Sequence, residues 1–435
     1  MKHNNCYSIF AAALLCAGIL SCCKADPNVS DYKMELKQPN TAVVVWNPAD
    51  YDFKKGNDAI LTKYGEMEKQ ILKESAGACS SWRNGSFHGR NLDWYQADYG
   101  CLIIQMPKGN GVKHASVALV NSNKTVTQEF IKAGKITDEL KSVLPCTAVD
   151  GINDAGVAIN INIVPHQPGD NYIGEEGDLS SQCVVRYVLD NAGSAAEAVD
   201  LIGKRKVRQA IVNIAGDQTH YMISDKDRTA VVEFVKGEMK VTWFDKKGDG
   251  WYSQNSNPAI MTNFYDYAGE QYGVGTDAFY NAHPTAMGVE RWNTIKDQYS
   301  TASANVNANL AIAKSVWYFK NLMADKKLWL SENAVAGVGY GKDAAGWYYM
   351  SGDTRIPCDD VKAAQQGYWD TAMEAYWAAY DKEYGNKPDP HVEGNGFWET
   401  SHTVIYDIEN KVGYLYPFEN AYSTDGTPIE LHLPE

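Results

Sequence analysis

Four patterns are missing from this 435-residue chain, and each absence removes a class of function. Clustered basic residues are scarce. Lys and Arg number 40 against 54 Asp and Glu, a net charge of −14, so the phosphate-neutralising surface that a nucleic-acid partner requires is lacking. The densest basic run, Gly203-Lys204-Arg205-Lys206, reads as a solvated helix end. Metal-ligand spacings are absent too, with no CxxC, HExxH or EF-hand pattern. Asp245-Lys246-Lys247-Gly248-Asp249-Gly250 lacks the downstream Glu of a calcium loop and reads as a turn. Neither a metal nor a cofactor is expected. Paired cysteines are wanting as well: past Cys22 and Cys23, the five that remain (Cys79, Cys101, Cys146, Cys183 and Cys358) are odd in number and widely spaced, which does not suggest a disulfide framework. Finally, no run is long and apolar enough to span a bilayer; the best, Ile9 to Leu20, falls short of the ~20 residues needed.

That short apolar run has another reading. Lys2 and His3 give it a basic start, and it ends in Ile19-Leu20-Ser21-Cys22, which resembles a bacterial lipobox. Residues 1–21 are therefore expected to be a signal peptide of the lipoprotein type, with Cys22 the lipidated residue. The protein is expected to be exported to the bacterial periplasm or cell surface, touching the membrane only through this anchor. Residues 22–78 read as a tether followed by a propeptide or a small N-terminal subunit, and residues 79–435 as the main domain.

Periodicity gives the elements. Thr41 to Trp46 reads as a strand, and Ile60, Leu61, Tyr64, Met67, Ile71 and Leu72 share one helical face behind a cap at Asn57. Past Cys79, strands dominate: Cys101 to Met106, Ser116 to Val120, and the alternating Val157 to Ile163 after an Asp150 to Gly156 turn. Helices at Val184 to Leu189 and, behind the cap Ser194, at Ala195 to Ile202 precede strands at His220 to Ser224 and Thr229 to Phe234. A helix over 306–323, an aromatic-rich insertion at about 330–398 with a helix from Asp359 to Tyr384, and a closing hairpin of His402 to Asp407 with Val412 to Tyr416 complete the chain. Strand pairs on either side of helix pairs indicate a layered α+β fold.

Chemistry concentrates near Cys79. Gly89-Arg90-Asn91-Leu92-Asp93 follows it across a short hairpin, bringing a guanidinium and a carboxylate toward a thiol. Arg90 would favour the thiolate, and Asp93 could accept a hydrogen bond from the Cys79 amine. Hydrolysis of a linear amide needs a nucleophile, an oxyanion site and a proton for the leaving amine. If Cys79 begins a mature chain, its own α-amine, with an ordinary pKa of about 7.7–8.0, can be both base and acid. The bond after Ala78 then has to be cut.

These segments together resemble the choloylglycine hydrolase family, which includes bile salt hydrolases and penicillin V acylases. The motifs run in order from Cys79: Gly-Arg-Asn-x-Asp at 89–93, Asp150-Gly151-Ile152-Asn153, His220 to Asp225, Val231-Val232-Glu233, Met261-Thr262-Asn263, Glu290-Arg291, and Tyr416 to Asn420. The resemblance implies the four-layer αββα sandwich of N-terminal nucleophile hydrolases and a thioester-forming cysteine that cleaves N-acyl amides, small molecules such as conjugated bile salts or penicillin V. It implies catalytic roles for Cys79, Arg90 and Asp93, an oxyanion donor at Asn263, and a distal electrostatic arginine at Arg291. The family's second oxyanion asparagine has no clean counterpart: gap-free counting puts Ile163 there, with Asn162 one residue away as the candidate. The separation of Asn263 and Arg291 is also short for a bile salt hydrolase.

Two other readings stay open. The long block before Cys79, and His88-Gly89-Arg90-Asn91, are similar to acid ceramidase and N-acylethanolamine-hydrolysing enzymes of the same superfamily. A non-enzymatic lipoprotein stacking glycans on its many Trp and Tyr would need neither processing at Cys79 nor Arg90. Oligomeric state, a homo-oligomer included, is left open.

Overall fold

The computed structural model describes residues 30–38, 40–67, 78–95, 99–123, 135–136, 138–164, 177–208, 218–248, 250–283, 286, 288–299, 304–316, 340–343, 345–351, 354–359, 363, 367, 398–417 and 427–434. Strands that are apolar on both faces dictate its layers. Leu102, Ile104, Ala118 and Val120 pack into one core, while their alternating neighbours Cys101, Ile103, Val117 and Leu119 pack into another. A strand buried on both sides has to lie inside a stack.

The larger sheet has ten strands among the described residues. In chain order they are β1 (Met34–Gln38), β2 (Thr41–Val45), β5 (Tyr99–Met106), β6 (Ser116–Asn123), β7 (Asp150–Asn153), β8 (Ala158–Val164), β9 (Gln218–Ser224), β10 (Arg228–Val235), β11 (Glu238–Lys247) and β12 (Gly250–Tyr252). Their spatial order is β12-β11-β10-β9-β8-β7-β6-β5-β2-β1, antiparallel except for β2 against β5. The smaller sheet has six: β3 (Ala78–Asn84), β4 (Phe87–Tyr95), β13 (Ile260–Met261), β14 (Trp398–Asp407), β15 (Val412–Pro417) and β16 (Ile429–Leu431), ordered β13-β3-β4-β14-β15-β16.

The sheets face each other through Ile103, Leu119, Ile152 and Ala158 on one side and Val404, Tyr406, Leu415 and Leu431 on the other. Helices α1 (Phe53–Met67), α2 (Asp138–Cys146), α3 (Val184–Asn191) and α4 (Ala195–Gly203) cover the outer face of the larger sheet through residues such as Ile60, Leu144, Val188 and Ile202. Helices α5 (Asp266–Tyr272), α6 (Asp277–Ala282), α7 (Val289–Tyr299) and α8 (Val306–Ser315) cover the smaller sheet, where Trp82 packs with Phe264, Phe279, Trp292 and Ile312. The expected αββα sandwich is the observed architecture.

Local expectations divide. Ser194 caps α4, its Oγ accepting from Glu197 N at 3.1 Å. The cap expected at Asn57 is instead supplied by Asp52, whose Oδ1 accepts from Lys55 N at 3.0 Å, so α1 starts one turn earlier than its apolar stripe. Asn57 lies inside that helix. The expected turn from Asp150 is in fact strand β7 as far as Asn153. Gly151 serves there as a packing residue, because a Cβ on it would sit 2.7 Å from Val117 O and 2.6 Å from Leu189 Cδ1. The real turn follows at Asp154 and Ala155, and Gly156 takes φ +80. Of the expected insertion, residues Tyr340–Asp343, Gly346–Ser351 and Thr354–Cys358 form a three-stranded antiparallel sheet. The helix from Asp359 to Tyr384 lies almost wholly outside the described residues, as do the end of the 306–323 helix, the signal segment and Cys22.

Candidate active site

Cys79 is the second residue of β3, and a turn at Gly85, φ +58, returns the chain as β4. The register pairs Cys79 with Leu92, Ser81 with Arg90, and Ala78 with Asp93. Directly paired residues share a face and successive residues alternate. Cys79 and Arg90 therefore lie on one face of the hairpin, and Asp93 lies on the other. Gly89 is required here, since a Cβ would fall 2.3 Å from the Trp82 ring.

On the inner face, Arg90 points at the larger sheet. Its Nη1 donates to Asp150 Oδ2 at 2.8 Å and its Nη2 to Ile161 O at 3.1 Å, with Nη2 4.0 Å from Cys79 Sγ. Asp150 also accepts from Tyr406 Oη at 2.5 Å, and His402 Nε2 lies 3.2 Å from it. All four side chains are fully buried. Burial alone would raise the Asp150 carboxyl, but Arg90, His402 and Tyr406 together hold it below its ordinary value. Burial pushes His402 down, leaving a neutral ring beside the ion pair.

The outer face carries a second pair. Arg291, from α7, lies 3.8 Å from Asp93 Oδ2, and Asp93 Oδ1 accepts from Thr400 Oγ1 at 2.7 Å. Arg291 Nη1 also donates to the Cys79 carbonyl oxygen and, at 2.9 Å, to Ser80 Oγ, while Nη2 donates to Asn263 Oδ1 at 2.6 Å. That same Oδ1 accepts from Cys79 N at 2.9 Å, and Asn263 Nδ2 donates to Ile163 O at 2.7 Å. Two donors on Oδ1 and one acceptor facing Nδ2 fix the amide's orientation.

The nucleophile candidate is thus held at N by Asn263 and at O by Arg291, with Arg90 beside its sulfur. Three segments far apart in sequence meet on one residue. In the uncut chain the Cys79 amide N–H donates to Asn263 Oδ1, and the Asp93 carboxylate lies beside Arg291 on the outer face. Arg90 does pull the thiol toward the thiolate, as expected, but burial outweighs that pull and holds the thiol above its ordinary value.

Asn162 is placed by an unbroken pairing of β8 with β9 from Ala158 to Val164, so no bulge corrects the one-residue offset. Its side chain lies among Asn160 and Ser81, and Nδ2 donates to Met261 O and Thr262 O, each at 3.3 Å. Thr262 O also faces His220 Nε2 at 2.9 Å, which ties the segment before Asn263 to a deeper cluster. There, donor atoms of His220, Glu233 and Asp266 lie within 4.8 Å of one another. Glu233 accepts the N–H groups of Asp266 and Tyr267 at 2.8 Å and meets His220 Nδ1 at 3.1 Å. Burial, then the neighbouring Glu233 charge, raise the Asp266 carboxyl well above its ordinary value.

Sequence reasoning missed Asp150 as the partner of Arg90, and His402, Tyr406 and Thr400 as neighbours of the site. The Asp150-Gly151-Ile152-Asn153 motif carried a signal for the first. The other three lie on a strand more than 240 residues downstream of Asp150, with nothing local to mark them.

Residues 80–283 match the model of "Linear amide C-N hydrolases, choloylglycine hydrolase family", a stretch that opens directly after Cys79 and takes in Arg90, Asp93, Asn162 and Asn263 but not Arg291. A conjugated bile acid hydrolase from Lactobacillus gasseri is 27% identical over 187 residues, 42% of this chain and 56% of that protein, so the chain spans little more than half of its relative's length. Among solved structures, a penicillin V acylase from Agrobacterium tumefaciens aligns at 13% identity and TM-score 0.33, over 78% of this chain and 83% of that one. A variant of the conjugated bile acid hydrolase from Clostridium perfringens aligns at 16% identity and TM-score 0.37, over 81% and 92%. The stretch similar to the choloylglycine hydrolase family of linear amide C–N hydrolases is residues 80–283, a little under half of the chain.

Proposed function

We propose that the protein hydrolyses the C–N bond of N-acyl amides through Cys79. The observation that carries this reading is the convergence on one buried cysteine of Asn263 at its nitrogen, Arg291 at its carbonyl oxygen and Arg90 beside its sulfur. In the unbroken chain the Cys79 nitrogen is an amide and has no basicity. Attack of Sγ on the Ala78 carbonyl carbon would form a C–S bond as the C–N bond breaks, and the nitrogen takes up the thiol proton. Water then hydrolyses that thioester, breaking the C–S bond to release the Ala78 carboxylate and restore the Cys79 thiol beside its now free α-amine. With the amine free, the thiol proton has an acceptor within the same residue.

The hydrolytic cycle follows from these parts. Sγ adds to the substrate carbonyl, and the oxyanion is stabilised by preorganised N–H donors. Asn263 is the side-chain amide expected for this role, with one Nδ2 hydrogen on Ile163 O and a second to offer. The α-ammonium protonates the leaving amine, a thioester remains, and water attacks it to release the acid. Arg90 stabilises negative charge on sulfur once the amine has taken the proton.

Conjugated bile salts, penicillin V and long-chain N-acyl amides are the substrate classes proposed. Export and a lipid anchor at Cys22 remain part of the proposal, resting on the lipobox-like sequence. Intact-mass measurement and N-terminal sequencing are expected to find a chain beginning at Cys79. Cys79→Ser is expected to abolish turnover of a panel of taurine and glycine conjugates, penicillin V and N-acylethanolamines. Full activity in Cys79→Ser would exclude the nucleophile. Glycan binding with no turnover by the wild type would favour the lipoprotein reading.

A further inference from the structure

We infer that, after the cut proposed before Cys79, residues 30–67 stay bound to the catalytic chain as a permanent small subunit that completes its larger sheet; this rests on the cleavage reading above. The segment is built into the fold. Strand β2 pairs in parallel with β5 over five positions, Thr41 with Cys101 through Val45 with Gln105, and β1 adds beyond it. Flanking bonds extend the ladder, from Cys101 N to Asn40 O at 2.9 Å and from Trp46 N to Gln105 O at 2.8 Å. Without the segment, β5 becomes an unpaired edge whose side chains lie in two cores. Bare apolar edges of that kind are what folded sheets avoid.

Side chains bind it as firmly. Ala42, Val44, Trp46, Tyr51 and Ile60 are buried within the same core as Leu102, Leu144 and Val188 of the catalytic chain. Trp46 Nε1 donates to Lys141 O at 3.0 Å. Asn57 makes two bonds across the divide, donating to Asp178 O at 3.0 Å and accepting from Ser180 N at 2.8 Å. Tyr51 Oη donates to Asp190 Oδ2 at 2.9 Å, and Asp190 is itself paired with the buried Arg186. Helix α1 touches α2 at Gly56, where a Cβ would lie 2.3 Å from Ser142 O. A leader that departs on maturation would leave the Asp190 carboxylate short of a donor, the Lys141 carbonyl bare, the Asp178 carbonyl with Arg205 alone, and the apolar face of α2 uncovered. Such losses are individually costly in a buried setting. One consequence concerns location: a lipidated Cys22 would sit on the small subunit, so the catalytic chain would be held at the membrane without a covalent link.

The test uses the full chain. Denaturing intact mass reports whether the bond before Cys79 is cut, and gel filtration with native mass spectrometry in molar salt reports what travels together. Both pieces in one peak is the expected result. It should persist through dilution over about three orders of magnitude, the range that separates micromolar from nanomolar association. A catalytic chain alone in the peak, with the upstream piece lost, overturns the inference. Finding only the uncut chain is a failure of the cleavage reading, not of retention. Retention is then decided on a Cys79→Ala protein with a site-specific protease sequence inserted within residues 68–77 and cut in vitro. Co-elution of the two pieces supports the inference, and their separation overturns it.

Discussion

Asp150→Asn is the sharpest probe of the site, because it removes one charge and almost no volume. Asp150 accepts from Arg90 and Tyr406 and lies 3.2 Å from His402 Nε2, in a setting with no exposure to water. The amide keeps one acceptor oxygen and directs an NH2 at the remaining donors. Arg90 becomes a buried cation without an anion. Breaking a buried pair from one side costs about 3–5 kcal/mol, against the ~5–15 kcal/mol that holds a typical domain together. The variant should therefore lose about a fifth or more of its stability, read as a lower midpoint in chemical denaturation at unchanged slope. The measurement belongs in a Cys79→Ala background, where the chain stays uncut and unfolds as one molecule.

The same substitution should act on Cys79 in the opposite sense. Arg90 pulls the thiol down, and its guanidinium is ion-paired with Asp150 at 2.8 Å, so removing that anion should favour the thiolate further. Alkylation of Cys79, followed by peptide mapping across pH, should shift to lower pH in Asp150→Asn with Cys79 intact. A variant within 1 kcal/mol of the parent, with an unchanged alkylation profile, would show that Asp150 does not balance Arg90.

Three further outcomes are expected. Asn263→Ala removes the acceptor shared by Cys79 N and Arg291 and one oxyanion donor, so kcat should fall about 10²–10³-fold, and accumulation of uncut chain on a denaturing gel would report impaired processing. Gly89→Ala drives a Cβ to 2.3 Å from Trp82, and should cost about 1–3 kcal/mol in thermal unfolding; an unchanged Tm would mean that the ring has room to move. Stability should also fall on mild acidification, because burial lowers His88 to about 4 and His283 to about 3. Below the ordinary histidine value of about 6.5 the unfolded chain binds protons that these rings refuse, so between pH 7 and pH 5 each should cost about 2 kcal/mol. A flat profile over that window would show that both rings are protonated in the fold.

How far the sequence reached can be seen at single residues. The layers were legible from element order, strand pairs on either side of helix pairs, and the consecutive apolar Leu102, Ile103 and Ile104 prove to be buried on both faces of their strand. The Cys79–Arg90 hairpin was legible too, from turn chemistry between two short runs. Its register was not. One residue of register decides whether Asp93 shares a face with the thiol, and nothing within the hairpin fixes that choice. Asp150-Gly151 reads as a turn on local propensity, and tertiary packing overrules it: Leu189 and Val117 press so close that the strand needs a glycine. Asn57 was mistaken for a cap because the apolar stripe of α1 begins well inside the helix.

The register also explains why the uncut chain can hold a quiet nucleophile. Two arginines flank Cys79, one on each face of the hairpin, and each arrives with its own carboxylate: Arg90 with Asp150, and Arg291 with Asp93. The local charges nearly cancel, so desolvation decides the protonation state and the thiol stays neutral. The cut proposed before Cys79 would change that balance at the nitrogen of the same residue. The amide N–H that now donates to Asn263 Oδ1 becomes an α-amine, still a donor to the same oxygen but able to take the thiol proton. On the proposed mechanism, activation would then follow from the cleavage itself. The scaffold that waits for it, from the Asn263 amide to the Arg291 grip on the Cys79 carbonyl, is already assembled in the intact chain.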